Sequence, residues 1–409
     1  MPIQSGSASN NPAIIEQKVA FSKSEVWEYQ ETYFDEQGIA AWLGPVPYYV
    51  TSNAVICHSY ANVVCRYLQD GLRQGHINHE HPIYLLEIGT GCGQFSYLFL
   101  QHLDTLLTTL NLQHLQIRYI MSDFSEKNLQ YWQEHHQLKP FMDRGWLDFA
   151  IYNVHHQETL TLTLSKQTLT QDNIHNPMVL LANYVFDTVN HDVFRVDKGK
   201  LYEGLISLST PANNIDAKGR VIELKQLQIH FDFEAISKGH YDNEALNSVL
   251  DYYQKNLNDS TFLIPVGGLG CIDHLRSLTG DRLFVVSGDK SYTTEASLNG
   301  LGTPHIAFHG SFSMMVNYHA VNKYMHALGG DSIMGFDTEG FKISIFALGH
   351  TFDDYCETQL AFEESIRHFT TKEFLPLKNR MLKQLNQLEK ADALALLKLS
   401  RWDANIVFS

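Results

Sequence analysis

The sequence predicts an α/β fold built on a doubly wound, mostly parallel sheet, and three observations carry that reading. Apolar runs at 83–88, 117–122, 147–154 and 178–182 have the composition of strands buried on both faces. The intervening 94–110 is apolar at helical spacing, and 125–138 is polar and amphipathic, so both read as helices. The first run ends in a glycine-rich turn that leads straight into a helix. Strand alternating with helix places the strands side by side and parallel.

In chain order, residues 1–12, rich in Ser, Asn and Pro, read as a loose tail. Helices follow at 24–43 and 53–75. In the second, Val55, Tyr60, Val63, Val64, Tyr67 and Leu68 recur near helical spacing, and Ser52 or Asn53 can cap its start. A fifth strand is expected at 282–287. Between the fourth and fifth the alternation breaks: 194–209 reads as a hairpin turning at 197–200, 220–233 as a long strand, and 243–257 as a helix. Residues 262–268 read as a strand running into a glycine-rich turn. The predicted organisation is therefore an N-terminal tail and helices (1–80), a first half of the core (81–190), an inserted cap over the sheet's carboxyl edge (191–280), a second half of the core (281–350) and C-terminal helices (351–409). Two helices are expected in that last segment, the later at 373–399 with Leu375, Met381, Leu385, Leu388 and Leu397 on its inner stripe.

Composition narrows the function. With 30 Lys+Arg against 45 Asp+Glu, the net charge of -15 argues against nucleic acid or an anionic membrane as partner. Aromatics at 12% and charged residues at 18% over 409 residues argue for a folded core. No stretch approaches a membrane span, and Met1 to Pro12 carries no leader pattern, so a cytoplasmic location is expected. Five scattered cysteines (Cys57, Cys65, Cys92, Cys271, Cys356) form no C-x-x-C pair, which points away from disulfides and zinc. The histidines at His79 and His81, His135-His136 and His155-His156 lack ligand spacing, and no metal is expected.

The chemistry is concentrated in Glu87-Ile-Gly89-Thr90-Gly91-Cys92-Gly93-Gln94. Glycines let the chain turn tightly after a strand and let a ligand approach closer than a Cβ allows. The free N–H groups of the helix that follows favour an anionic group. A carboxylate just before the glycines strengthens a nucleotide-type cofactor over a bare turn, because Rossmann-type sheets bind ligands in this crevice. A dinucleotide fingerprint needs glycine where Gln94 stands, and an acid about 20 residues on. The acid here is Asp123, at the end of the second strand and further along than that fingerprint asks.

Glu87-x-Gly-x-Gly-x-Gly followed by Asp123 resembles class I S-adenosylmethionine-dependent methyltransferases. Together with Tyr48-Tyr-Val-Thr51-Ser52, Ala182-Asn183-Tyr184-Val-Phe186-Asp187 and Ser313-Met-Met-Val-Asn-Tyr318, it is similar to the MidA family, methyltransferases of NADH dehydrogenase assembly. The string from His309 to His319 is also similar to bacterial methyltransferases linked to tetratricopeptide repeats. The resemblance spans about 48–350 and departs at Tyr184, where the family has Glu, and at 315–318, where it has H-V-D-F. It implies a seven-strand sheet ending in a hairpin, with the last strands at 305–309 and 342–348. It implies S-adenosylmethionine held by Gly89, Thr90, Gly91 and Gly93, with Glu87 ordering the loop, Ser52 nearby and Asp123 on the ribose. Phe124, Asn153 and Val154 would face the adenine. Asn183, Tyr184 and Asp187 would stand at the methyl acceptor, a protein side chain or small molecule. Tyr184 points to a neutral amine or amide nitrogen over a guanidinium, which prefers paired anionic oxygens. A binding protein that keeps the pocket without catalysis, or an NAD-dependent oxidoreductase, are the alternatives.

Overall fold

The computed structural model describes residues 12–43, 49–156, 159–335, 340–384 and 389–403. The chain enters through β1 (Pro12–Ala20), α1 (Val26–Gln37), a 3-10 stretch at Gly38–Leu43 and the long α2 (Ala54–Gln74). Four strands follow as expected, β2 (Ile83–Ile88), β3 (Ile117–Asp123), β4 (Leu147–Ile151) and β5 (Met178–Asn183). The helices α3 (Gln94–Thr109), α4 (Glu126–Glu134) and α5 (Lys139–Asp143) lie between them. Residues 1–11 of the expected tail lie outside the described residues, and its last residue, Pro12, already belongs to a strand.

Next come β6 (Asp192–Asp197), β7 (Lys200–Pro211), β8 (Gln228–Ala235), α6 (Glu244–Asn256), β9 (Ser260–Ile264) and α7 (Val266–Thr279). The hairpin turns where the sequence placed it, Asp197 pairing with Lys200. Two expectations need correction. The strand expected at 220–233 begins only at Gln228, after a bridge from Ile215 to Val221 and a 3-10 turn at Leu224–Gln226. The glycine-rich turn after β9 is instead the first turn of α7. Gly268 is needed there for closeness, since a Cβ would lie 2.9 Å from the Phe186 ring.

The chain then runs through β10 (Leu283–Tyr292), α8 (Glu295–Leu298), β11 (Ala307–His309), β12 (Ser311–Ser313), β13 (Val316–Asn317), α9 (Tyr318–Ala327), β14 (Asp331–Ile333) and β15 (Phe341–Leu348). The main sheet has the order β14-β15-β10-β5-β2-β3-β4. Every neighbouring pair is parallel except those made by β15, which runs against both β10 and β14. The strand expected at 305–309 is not in this sheet; β11 pairs only with β12 in a small hairpin, and the edge position is taken by β14. The chain ends in α10 (Cys356–Phe362), which continues as a π-helical turn at Glu363–His368, then α11 (Thr371–Leu382) and α12 (Lys390–Leu399). The single late helix expected at 373–399 is thus two helices, and Leu385 and Leu388 lie outside the described residues.

One face of the sheet is covered by α2 and α3, where Tyr60, Tyr67 and Phe99 are fully buried. The other is covered by α6, α7 and α9, burying Tyr253, Leu269 and Tyr318. A second, antiparallel sheet, β1-β7-β6-β9 with β8 also on β7, packs Val193, Ile206 and Phe231 against Phe21 and Trp27. That core positions α1, since Trp27 also leans on Phe312 with ring centroids 5.2 Å apart. Among the described residues no helix is long and apolar enough to cross a membrane.

Asn53 fixes the start of α2 and the loop before it. Its Oδ1 accepts from the N–H groups of Val55 and Ile56, while its Nδ2 donates to Tyr49 O and Thr371 Oγ1. Because Asn53 is fully buried, Asn53→Ala strands all of these partners. Urea unfolding is expected to show a loss of about 2–3 kcal/mol, well above the cost of an exposed cap.

Candidate functional site

The carboxyl ends of β2, β3, β4 and β5 open into one crevice, at the point where the chain order of the strands reverses direction. Open α/β sheets leave a cleft there because neighbouring crossovers lie on opposite faces. After β2 the backbone passes through Gly89, Gly91 and Gly93, all at positive φ (61°, 59° and 77°), and Gly93 caps α3. Gly91 has no room for a side chain, since a Cβ would stand 2.6 Å from the Trp42 indole. Its N–H donates to Asp123 Oδ2 at 3.2 Å, and its carbonyl accepts from Trp132 Nε1 at 2.9 Å.

The two acids of the motif are held differently. Glu87 Oε2 accepts from Ser96 Oγ at 2.5 Å and from Tyr119 Oη at 2.7 Å. Burial pushes its carboxyl up to about 7, against the pull of those hydroxyls. Asp123 accepts from Gly91 N–H on Oδ2 and from Ser125 N–H on Oδ1, yet burial still raises it from its ordinary value. Gln94 Nε2 donates to Ser52 O at 2.7 Å, tying the loop before α2 to the glycine turn.

The crevice has two adjoining chambers, of about 810 and 650 Å³ including space open to solvent. Ser52, Glu87, Gly89, Thr90, Asn183, Tyr184 and Asp187 line the first. Gly89, Asp123, Phe124, Asn153, Val154 and Tyr184 line the second. Of the residues singled out from sequence, Gly91 and Gly93 line neither chamber; they shape the turn from behind. Tyr48, quoted with the motif before α2, lies outside the described residues. His319, at the end of the other quoted string, bonds Tyr253 Oη at 2.9 Å and belongs to the far face.

At the end of β5 the chain turns sharply. Tyr184 has φ +50°, unusual for a bulky residue, while its N–H donates to Gly288 O at 3.0 Å. Its ring meets Phe341 edge-on at 5.4 Å. Asn183 is positioned by Tyr60, whose hydroxyl donates to Asn183 Oδ1 at 2.5 Å. Asp187 is 4% exposed, and burial raises its carboxyl to about 7 against the attraction of Lys290.

The cover over the crevice differs from the one expected. Gln30, Glu31, Phe34 and Trp42, from α1 and the 3-10 stretch, close it, and no described lining residue comes from 191–280. The second sheet acts from a distance, by burying Trp27 and so fixing α1. Sequence reading missed these cover residues, because aromatic side chains at helical spacing look the same whether they face a core or a cleft. It also missed Lys290 and its neighbour Asp289. Two adjacent charges in an otherwise uncharged strand are a signal that was available.

No family model matches the chain, and no curated protein matches it. Solved structures similar to it include two Burkholderia thailandensis proteins of one superfamily. The first is 11% identical over 81% of this chain and 96% of its own, with a TM-score of 0.43. The second, bound to S-adenosyl-homocysteine, is 12% identical over 84% and 97%, with a TM-score of 0.44. An S-adenosylmethionine-dependent methyltransferase from Anabaena variabilis is 10% identical over 81% of this chain and all of its own (100%), with a TM-score of 0.31.

A buried acid whose folded value is raised binds its proton more tightly folded than unfolded. Stability is then greatest below the ordinary value of 4.5 and falls as pH climbs through about 7. Glu87→Gln keeps an acceptor for Ser96 and Tyr119 but has no charge to bury. Thermal melting across pH 4–8 is expected to show a shallower fall in the variant, the difference reaching about 3 kcal/mol at pH 8.

Proposed function

We propose that the crevice holds S-adenosylmethionine and that this chain is a class I methyltransferase acting on a nitrogen of a protein side chain or small molecule. Asp123 carries the reading. It is a buried carboxylate at the end of β3, lining a chamber that begins at the glycine turn after β2. A carboxylate in that position matches the paired hydroxyls of a ribose. The strand order, with β15 reversed beside β10, supports the same class. Gln94 supports it over a dinucleotide, since the side chain standing where that fingerprint needs glycine is committed to Ser52.

Glu87, Gly89, Thr90 and Ser52 would hold the methionine end, shaped by Gly91 and Gly93, with Phe124, Asn153 and Val154 around the adenine. The bound cofactor supplies a methyl group on a positively charged sulfur, an electrophile that needs only an aligned nucleophile. The protein's work is then positioning and drying. Phe34 and Trp42 cover the crevice, and Tyr184 walls the end at which Asn183 and Asp187 stand. The convergence of Ser52, the Glu87 motif and Asn183–Asp187 on one chamber also supports the MidA-like resemblance. Tyr184, in place of that family's Glu, favours an amine over a guanidinium acceptor.

Titration calorimetry tests this directly. S-adenosylhomocysteine is expected to bind and NADH is not, while Asp123→Ala weakens S-adenosylhomocysteine by about 2 kcal/mol, roughly thirtyfold. Binding of NADH in preference, or an unchanged affinity in folded Asp123→Ala, contradicts the assignment.

A further inference from the structure

Two acids meet at the acceptor end of the crevice, and only one of them faces it. Asp187 lines the first chamber beside Asn183, Tyr184 and Lys290. Behind it Asp289, on β10, is fully buried (0%), and neither of its oxygens has a hydrogen-bond partner of good geometry among the described N–H and O–H groups. Asp187 Oδ1 is likewise buried and without such a partner. Gly288 pairs with Asn183 and accepts from the Tyr184 N–H, which brings Asp289 beside the turn that carries Asp187, and two ionised carboxylates so placed, with no donor between them, repel. A proton on one of the two relieves that repulsion.

We propose, resting on the methyltransferase reading above, that Asp187 and Asp289 share a single proton and present one negative charge to the acceptor position. Asp187 takes a proton from an amine acceptor, and Asp289 is the positioning residue that keeps Asp187 ionised. The surroundings assign the roles. Asp289 is fully buried and lines neither chamber, whereas Asp187 faces the first, so Asp289 carries the proton. Burial holds Asp289 well above the usual carboxylate range, and the Asp187 charge adds to it. The Lys290 ammonium attracts the Asp187 carboxylate. The phenols facing the pair, Tyr60 from α2, Tyr184 after β5 and Tyr318 from α9, are all raised and stay neutral.

The proton balance follows. An amine arriving as an ammonium ion has no lone pair until one N–H bond breaks. The proton passes to the Asp187 carboxylate, and the bonding electrons stay on nitrogen as the nucleophilic pair. A single charge offset by Lys290 suits an acceptor that gives up one proton. It is a poor match for a guanidinium, which stays cationic and pairs best with two ionised oxygens. Loss of a general base typically costs 100-fold or more in rate, about the scale expected for Asp187→Asn.

A probe that needs no acceptor can read the pair. Sinefungin is an analogue of S-adenosylmethionine with an amine in place of the sulfonium methyl. Its affinity relative to S-adenosylhomocysteine reports negative charge at the methyl position, and the ratio cancels the titration of Glu87 at the other end. In the full-length protein at pH 8 we expect sinefungin to bind about tenfold tighter, a preference that fades below pH 7. Asp187→Asn abolishes the preference. Asp289→Val moves its onset above pH 7, and Asp289→Asn, which still donates to Asp187, recovers most of it. S-adenosylhomocysteine still binds all three variants, so each ratio can be read. Infrared spectra should show a neutral carboxyl C=O band at pH 8 that persists in Asp187→Asn and is lost in Asp289→Asn. Equal affinities for the two probes, a pH-independent ratio, or a band that survives Asp289→Asn overturns the proposal. Failure of both probes to bind overturns the methyltransferase reading itself.

Discussion

The backbone of Gly91 is gripped from three directions, and the crevice depends on that grip. Asp123 holds its N–H, Trp132 holds its carbonyl, and the Trp42 ring fills the space a side chain would occupy. Each partner comes from a different element: the end of β3, the last turn of α4, and the 3-10 stretch after α1. The turn after β2 therefore keeps its shape only while the sheet, the β3–β4 crossover and the N-terminal cover are in place together. Asp123 serves two ends, fixing the turn and facing the chamber beside it.

A second constraint is electrostatic. Glu87, Asp123, Asp187 and Asp289 are each at most 4% exposed, and all are raised by burial. Four acids buried so close to the strand ends oppose folding, and the large aromatic cores on both sheet faces must offset that cost. Hydroxyls and backbone N–H groups relieve Glu87 and Asp123. Asp187 and Asp289 relieve each other through a proton. Sites that bear such a cost are where shifted acids tend to do chemistry.

Much of this was legible in the sequence, and what was not has physical reasons. β2 to β5 are continuous apolar runs because both of their faces are covered, so composition alone marks them. The glycine turn and Asp123 were legible because turn geometry restricts residue type. β1 was not. Its Pro-Ala-Ile-Ile-Glu-Gln-Lys-Val-Ala carries little strand pattern, and its partner β7 lies far along the chain. β14, three residues long, gives no periodicity to detect, so the edge of the sheet was assigned to β11 instead. Around the site, Asn183, Tyr184 and Asp187 followed from their place after β5. Phe34 and Trp42 did not, because their facing the crevice depends on how the second sheet seats α1, a tertiary fact with no local signature. The proton shared by Asp187 and Asp289 joins the turn after β5 to β10, about a hundred residues further along the chain, so it too appears only in three dimensions.

The most direct measurement is a crystal structure of the protein grown with S-adenosylhomocysteine. The account predicts one ligand spanning both chambers, its ribose on Asp123, its adenine beside Phe124 and Asn153, and its amino-acid end at Gly89 and Glu87. Ligand density elsewhere on the molecule, or an empty crevice in the presence of saturating ligand, would contradict it.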